Sequence, residues 1–430
     1  MAILNLPAHE RFATENIFLP LCVRSSVYAK YGMARIRNGV DQDGVKHPDE
    51  PCFADDVNRL GDVGRWVEIP DDRGGGGTEW VRLKLYLLFG AMDHLGAQSC
   101  TVHVQCPNAH FFCRACDYDT RSPSAGKPFS FMRQGCAHKD KAARPAFTRR
   151  DWPTLKSVLQ RLRQGVSATE DKRLRHDYGI NKLHAAIDPD HLHHVDPTTY
   201  LPQDLLHVFP DGLLRSEGAW LFYILINQFK LSIDKVNARI RTYPHWPADV
   251  RIPDLNSGKL KKGAKGGKPK SSTTLKMTGS EAMWFSLHSV EVLEPLLTDA
   301  MRQHPAWASW VKLCELFAVC VQHEFHVDDI ERIDDLQVEY IALFNAVPEY
   351  AGLYRPKHHF LSHLPHDLWL YGPFRGFWTF GFESFNKVIK KGASQSNWQR
   401  EQLAVMQYWS MWSARQIVRK QRSTYLVQSV

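Results

Sequence analysis

In the stretch CPNAHFFCRACDYDT, Cys113 and Cys116 form a CxxC pair. Far downstream, HHFLSH sets His358, His359 and His363 close together. Structural zinc takes four Cys or His ligands, so a lone CxxC is half a site. If the histidines supply the other half, the two ends of a very long segment must meet. No other feature of the sequence restricts the fold as strongly. The four ligands could also be completed locally, from Cys100, Cys106, Cys136 and His138, or the cysteines could be plain buried thiols. His359 and His363 are four apart and share a helical face. His358 and His363 converge only if the helix begins or distorts there. A rival cluster, His191, His193 and His194, lies in a Pro/Asp-rich loop and reads as solvated. A mixed Cys2His2 zinc site is the expectation.

The chain has nine cysteines. The N-terminus MAILNLPAHERF lacks a charged segment followed by an apolar one, so no secretory leader is expected. The longest apolar run, near Ala219–Ile226, is too short to span a bilayer. The expectation is a soluble, intracellular protein with no membrane partner. In that setting, clustered cysteines read as metal ligands rather than disulfides. The net charge of +8 is compatible with an acidic partner such as nucleic acid without singling one out.

Strand signals fall at 65–69 and 80–90, separated by the Gly-rich turn Gly74–Gly77. The second, VRLKLYLLFGAMD, alternates and then turns continuously apolar, as a strand entering a buried sheet does, and ends at Asp93. Residues 94–150 read as irregular and in need of a staple. Helical periodicity predicts helices at 152–164, 203–209, 217–231, 231–241, 279–299, 305–323 and 327–346, and an amphipathic one at 398–419. Between them, about 254–275, a Lys/Gly segment containing Lys259, Lys261 and Lys262 reads as a disordered loop. The fold class expected is α+β and mostly helical. Three regions follow: 1–99 with the strands, 100–357 as a Cys-containing helical insertion, and 358–430 with the histidines and a last helix.

The order of these pieces resembles a known family. An apolar strand ends in Asp93, then come Cys113-x-x-Cys116, a long helical insertion, His358-x4-His363, and Glu383 in FESFNK. This is similar to the catalytic core of the CACTA-type (Tnp2-like) DNA transposases, and to that of the Transib transposases and the V(D)J recombinase. The match continues through Pro365, Trp378, Ser384, Asn386 and Lys387 without a gap. Asp204 and His207, in PQDLLHVFPDG, are similar to the family's D-x-M-H motif, with Leu206 where Met is usual. ILNLPAHERFATENIFLP, from Ile3 to Pro20, resembles the segment that follows the first catalytic strand.

The resemblance implies an RNase H-like core with a large helical insertion stapled by structural Zn²⁺ on Cys113, Cys116, His358 and His363. It favours His358 over His359, because the ungapped match falls there. It implies Asp93 and Glu383 as catalytic carboxylates holding Mg²⁺ or Mn²⁺ for phosphodiester cleavage and strand transfer. On residue type alone, Asp93 would be a strand-end turn residue and Glu383 a solvated helix residue. The implied partners are transposon ends, target DNA and a second copy of the chain, in the nucleus. Lys259, Lys261, Lys262, Lys387, Lys390 and Lys391 are the candidate DNA contacts. The family's first catalytic Asp sits on an opening strand upstream of the segment that here begins at Ile3. The expectation is therefore a partial core, a truncated or domesticated fragment with impaired catalysis. The alternative is a non-catalytic, zinc-stapled protein that binds DNA or another protein.

Overall fold

The computed structural model describes residues 58–59, 62–63, 65–70, 78–83, 94–103, 109–132, 147–184, 195–264 and 267–381. Beyond these it describes single positions or pairs, among them 383, 390, 391 and 405. The described chain is mostly helical with very little strand. It divides into two compact units. One takes the described residues up to 103, those from 151 to 202 and those from 379 onward. The other takes 109–132, 147–150 and the described residues from 203 to 378.

In the first unit, β1 (Arg65–Pro70) and β2 (Thr78–Leu83) form an antiparallel pair, with Trp66 opposite Arg82 and Glu68 opposite Trp80. Pro70 sits at the strand end, where its missing N–H costs no ladder bond. The expected extension of β2 toward Asp93 lies outside the described residues. Residues 94–100, expected to be irregular, form helix α1 (His94–Cys100). Leu, Ala and Gln are good helix formers and outweigh the single Gly96. Helices α2 (Trp152–Gln164) and α3 (Ala168–Tyr178) follow. Val102, Leu155, Val158, Leu159, Leu162, Leu174 and Ile180 form their common core. Asp151 caps α2 through the N–H of Thr154, and Pro153 occupies the first turn, where an N–H would be orphaned anyway.

The second unit is a helical assembly. Helix α4 (Leu205–Val208) runs through a wide π turn (Phe209–Leu214) into α5 (Arg215–Asn227). Pro210 has no N–H to offer the ladder, which accounts for the local widening. Gly212 has to be glycine: a Cβ there would meet His207 O and Lys357 Cδ, each at 2.6 Å. In α5, every residue from Ser216 to Ile226 is buried. A helix apolar nearly all round belongs at the centre of a bundle. Leu231 N–H reaches back to Leu225 O at 2.9 Å and closes the end of this helix, with Lys230 at a φ of 58°.

Next come α6 (Ile233–Thr242), the one-turn α7 (Ser257–Leu260), α8 (Gly279–Leu293) and the short α9 (Asp299–Arg302); α7 packs on α5, and Phe222 of α5 meets Phe285 of α8 at 6.4 Å. They are followed by α10 (Pro305–Cys320) and α11 (Val327–Asn345), which pack along each other. Phe209 meets Phe317 at 5.2 Å, and Trp220 meets Tyr350 at 5.7 Å. Trp310 is buried but keeps a partner for its N–H, Ser289 Oγ at 3.0 Å. The chain then turns through α12 (Pro356–Phe360), a 3-10 turn (Leu361–His363) and α13 (Leu364–Tyr371).

The Lys/Gly stretch departs from the expected disorder at its described residues. It contains α7 and a bridge between Gly263 and Pro269, because Leu260, Pro269 and Leu275 are buried and hold the backbone down. The last helix expected at 398–419 lies mostly outside the described residues.

The packing generates a contrast. Phe317→Ala removes a fully buried ring from the centre of the second unit and should cost about 3–5 kcal/mol. Thr278→Ala removes one half of the capping box with Glu281 at the start of α8 and should cost about 1 kcal/mol. Urea unfolding of the two variants, followed by tryptophan fluorescence, reads both values.

Candidate metal centre

The CxxC lies on a knuckle without regular secondary structure, closed by the segment 147–150. Asp117 N–H donates to Thr148 O at 3.0 Å, and Arg150 N–H donates to Ala115 O at 3.0 Å. The Asp117 carboxylate accepts from the Thr148 N–H and hydroxyl at 2.5 and 2.6 Å. Arg150 Nε donates to Cys113 O at 3.2 Å and to Cys116 O at 2.9 Å, so the turn's carbonyls are satisfied by one side chain. The loop that follows is docked on α11. Gln337 Nε2 donates to Phe129 O and Asn345 Nδ2 to Gly126 O, both at 2.8 Å, and Ser130 donates to the Asp334 carboxylate.

The histidines come from α12 and the 3-10 turn after it. Cys113 Sγ lies 3.3 Å from His363 Nε2, and Cys116 Sγ lies 3.2 Å from His359 Nε2. The two Nε2 atoms are 3.2 Å apart. All four side chains are buried, and their ligand atoms lie within 4.8 Å of one another. In a tetrahedron with ordinary Zn–N and Zn–S lengths, the edges are about 3.4 Å for N–N and about 3.6 Å for N–S. The group has those dimensions to within a few tenths of an ångström. It is one of two groups of metal-ligand side chains among the described residues and the one built of Cys and His alone.

The donors are prepared for a cation. Burial, the largest influence, raises Cys113, but the hydrogen bond from Cys116 and the neighbouring His363 and His359 rings outweigh it and hold this thiol well below its usual range. Burial and the neighbouring Cys113 hold Cys116 well above it. Burial lowers His363 to about 4, so its ring is neutral, as a metal ligand must be. Its Nδ1 is buried without a hydrogen-bond partner, and Phe131 stacks on the ring at 4.7 Å. Two imidazole nitrogens and two sulfurs converge at these separations in a buried pocket. A tetrahedral Zn²⁺ fits the set, and Cys113, Cys116, His359 and His363 would hold it. With four protein ligands, the site is closed, as structural zinc sites are and catalytic ones are not. Phe112, Tyr118, Phe131 and Phe147 wall it from water.

The histidine that joins His363 in this group is His359, which corrects the expectation of His358. Four residues make just over one helical turn, so His359 and His363 point the same way, while five residues do not. His358 is engaged elsewhere. Its Nδ1 accepts from Arg355 N–H at 2.8 Å, and its Nε2 donates to Glu217 Oε1 at 3.1 Å. Tyr340 donates to the same carboxylate oxygen, and its phenol is held protonated by burial first and by the charge of Glu217 second. His358 thus ties α12 to the first turn of α5. The part played by Glu217 has no trace in the sequence, where it is one acidic residue at the edge of an apolar run.

Of the remaining expected residues, Asp204 caps α4, accepts from His207 N–H at 3.2 Å and binds the His207 ring at Nδ1. Glu383 is exposed on a helical turn, with its N–H on Thr379 O at 2.9 Å. Cys100 is buried in α1 and is not in the metal group. Lys259, Lys261, Lys262, Lys390 and Lys391 are exposed. Asp93, Cys106, Cys136, His138, His191, His193, His194 and Lys387 lie outside the described residues. No described helix is long and apolar enough to cross a membrane. No protein-family model matches the chain, and no curated protein matches it.

Substitution separates the two neighbouring histidines. His359→Ala and His363→Ala should leave the chain without bound zinc, while His358→Ala keeps it and loses about 3 kcal/mol because Glu217 stays buried with one partner fewer. Zinc content by elemental analysis and urea unfolding report these separately. Protons compete with the metal for both thiols, so zinc affinity should fall as pH falls. Release to a chromogenic chelator across a pH series measures that slope.

Proposed function

We propose that this chain is a DNA transposase-like protein whose ancestral chemistry is metal-dependent phosphodiester cleavage and strand transfer. The observation that carries the reading is the pairing of Cys113 and Cys116 with a histidine pair across 243 and 250 residues, shortly before Glu383. Closing a loop of that length costs about 5 kcal/mol in chain entropy. Binding of a structural zinc contributes about 10–16 kcal/mol and offsets that cost. Such a staple serves a protein in which a long insertion separates two parts of one site. Asp93 before the insertion and Glu383 after it are the carboxylates of the proposed site, within an RNase H-like core. Divalent cations bound by such carboxylates activate the attacking hydroxyl and stabilise the leaving oxygen. The protein's own part is to hold the carboxylates and to carry DNA on a basic surface, in the nucleus and as a homo-oligomer.

A second reading, a zinc-stapled DNA-binding protein without chemistry, is favoured by the exposed lysines of residues 259–276. One experiment divides the two. The full chain is incubated with supercoiled DNA and Mn²⁺. The transposase reading expects slow nicking that is lost in Asp93→Asn and Glu383→Gln with zinc content unchanged. DNA bound but never nicked gives the second reading. Nicking that survives both substitutions contradicts the first.

A further inference from the structure

Between Leu255 and Met277 the sequence holds seven lysines, no acidic residue, no arginine and no aromatic residue. Lys259, Lys261, Lys262, Lys268, Lys270 and Lys276 are all exposed, and none forms an ion pair among the described residues. The nearest preceding acidic residue, Asp254, is already taken by Arg241, whose Nε donates to it at 3.0 Å. The positive charge of this segment is therefore uncompensated.

The backbone that carries these lysines is held at both ends. Asn237, buried in α6, clamps Leu255 from both sides: its Oδ1 accepts from Leu255 N–H at 2.8 Å, and its Nδ2 donates to Leu255 O at 3.1 Å. At the other end, Leu275 N–H donates to Arg215 O at 2.8 Å, and Arg215 Nε donates back to Leu275 O at 3.1 Å. Between these clamps, Asn256 caps α7 through Lys259 N–H at 3.0 Å, and Ala264 N–H donates to Lys268 O at 2.8 Å. Leu260, Pro269, Leu275 and Met277 are buried beneath. Gly263 lies against the Tyr223 hydroxyl, and a Cβ there would also meet Lys268 O at 2.7 Å.

We infer that residues 255–264 and 267–277 form a pre-ordered lysine platform that grips the phosphate backbone of nucleic acid without reading sequence. Ordering a flexible basic loop on binding costs free energy that a backbone fixed in advance does not lose. Lysine supplies point charges suited to phosphate, and the platform lacks the forked guanidinium groups that read base edges. Having no aromatic side chain, it cannot stack on bases, so duplex suits it at least as well as single strand. Its apolar residues face inward and leave nothing to insert into a bilayer. The inference deepens the DNA partner named above and stands without any strand-transfer chemistry.

The test is a salt titration of the full, zinc-loaded chain on a mixed-sequence DNA duplex, on a single strand of the same length and on vesicles containing phosphatidylserine. Lys259→Ala/Lys261→Ala/Lys262→Ala should reduce the slope of log affinity against log salt by about 0.9 for each phosphate no longer neutralised. It should also weaken binding at low salt about 10-fold or more, with melting temperature and zinc content unchanged. Gly263→Val keeps every charge but displaces the platform, and should weaken duplex binding several-fold. An unchanged slope in the triple variant overturns the inference. So does stronger, lysine-dependent binding to vesicles than to duplex. Equal affinity of Gly263→Val and the parent overturns the pre-ordering. Absence of nicking, with the slope still reduced in the triple variant, leaves the platform standing while the transposase reading falls.

Discussion

Two sulfurs and two imidazole nitrogens meet in a dry pocket, and the second unit is organised around that meeting. Cys113 and Cys116 stand on a knuckle without regular secondary structure. His359 and His363 stand at the end of a long helical excursion. The aromatic wall of Phe112, Tyr118, Phe131 and Phe147 gains its burial by closing over the histidines. The knuckle's following loop is docked on α11 through two side-chain to backbone bonds and the Ser130 bond to the Asp334 carboxylate. A cation at the centre would bind all four ligand atoms and fix two distant parts of the chain at once.

Beside the metal group lies a second buried polar arrangement, Glu217 with His358 and Tyr340. It differs in kind. Two donors, His358 and Tyr340, share one carboxylate oxygen, while Glu217 Oε2 has no hydrogen-bond partner. Adjacent histidines therefore do different work: His359 faces the sulfurs and His358 faces α5. The effect is that α12 is held from both sides, by the cysteine knuckle and by the central helix. Arg355 adds to the second attachment through Ser216 at 2.7 Å and by stacking over Trp220 at 4.9 Å.

Much of this was legible in the sequence where a periodic apolar face exists. Helices α2, α10 and α11 fall where expected to within three residues at each end, α5 to within four, and α8 starts as expected but ends six residues early. Helix α3 has no such stripe. It buries only Leu174 and owes its ends to Ser167 and Gly179 and its surface to the ion pairs of Arg173 and Arg175, so periodicity passes over it. The Lys/Gly segment misled for the opposite reason. Its composition is that of a disordered loop, yet three buried residues and the Asn237 clamp order it. The metal group was legible as a set of residue types. Assigning the right histidine required the helical phase of α12, and the family-like spacing pointed to its neighbour. The partner of His358 is beyond any local pattern, since Glu217 is 141 residues away.

We propose that a zinc ion joins the knuckle to α12 and the turn after it. X-ray absorption at the zinc edge of the purified full chain reads the metal's neighbours. The expected result is one zinc per chain with two sulfur neighbours at about 2.3 Å and two nitrogen neighbours at about 2.0–2.1 Å. A chain that folds without zinc, or a metal shell of four sulfurs or of nitrogen and oxygen alone, would contradict it.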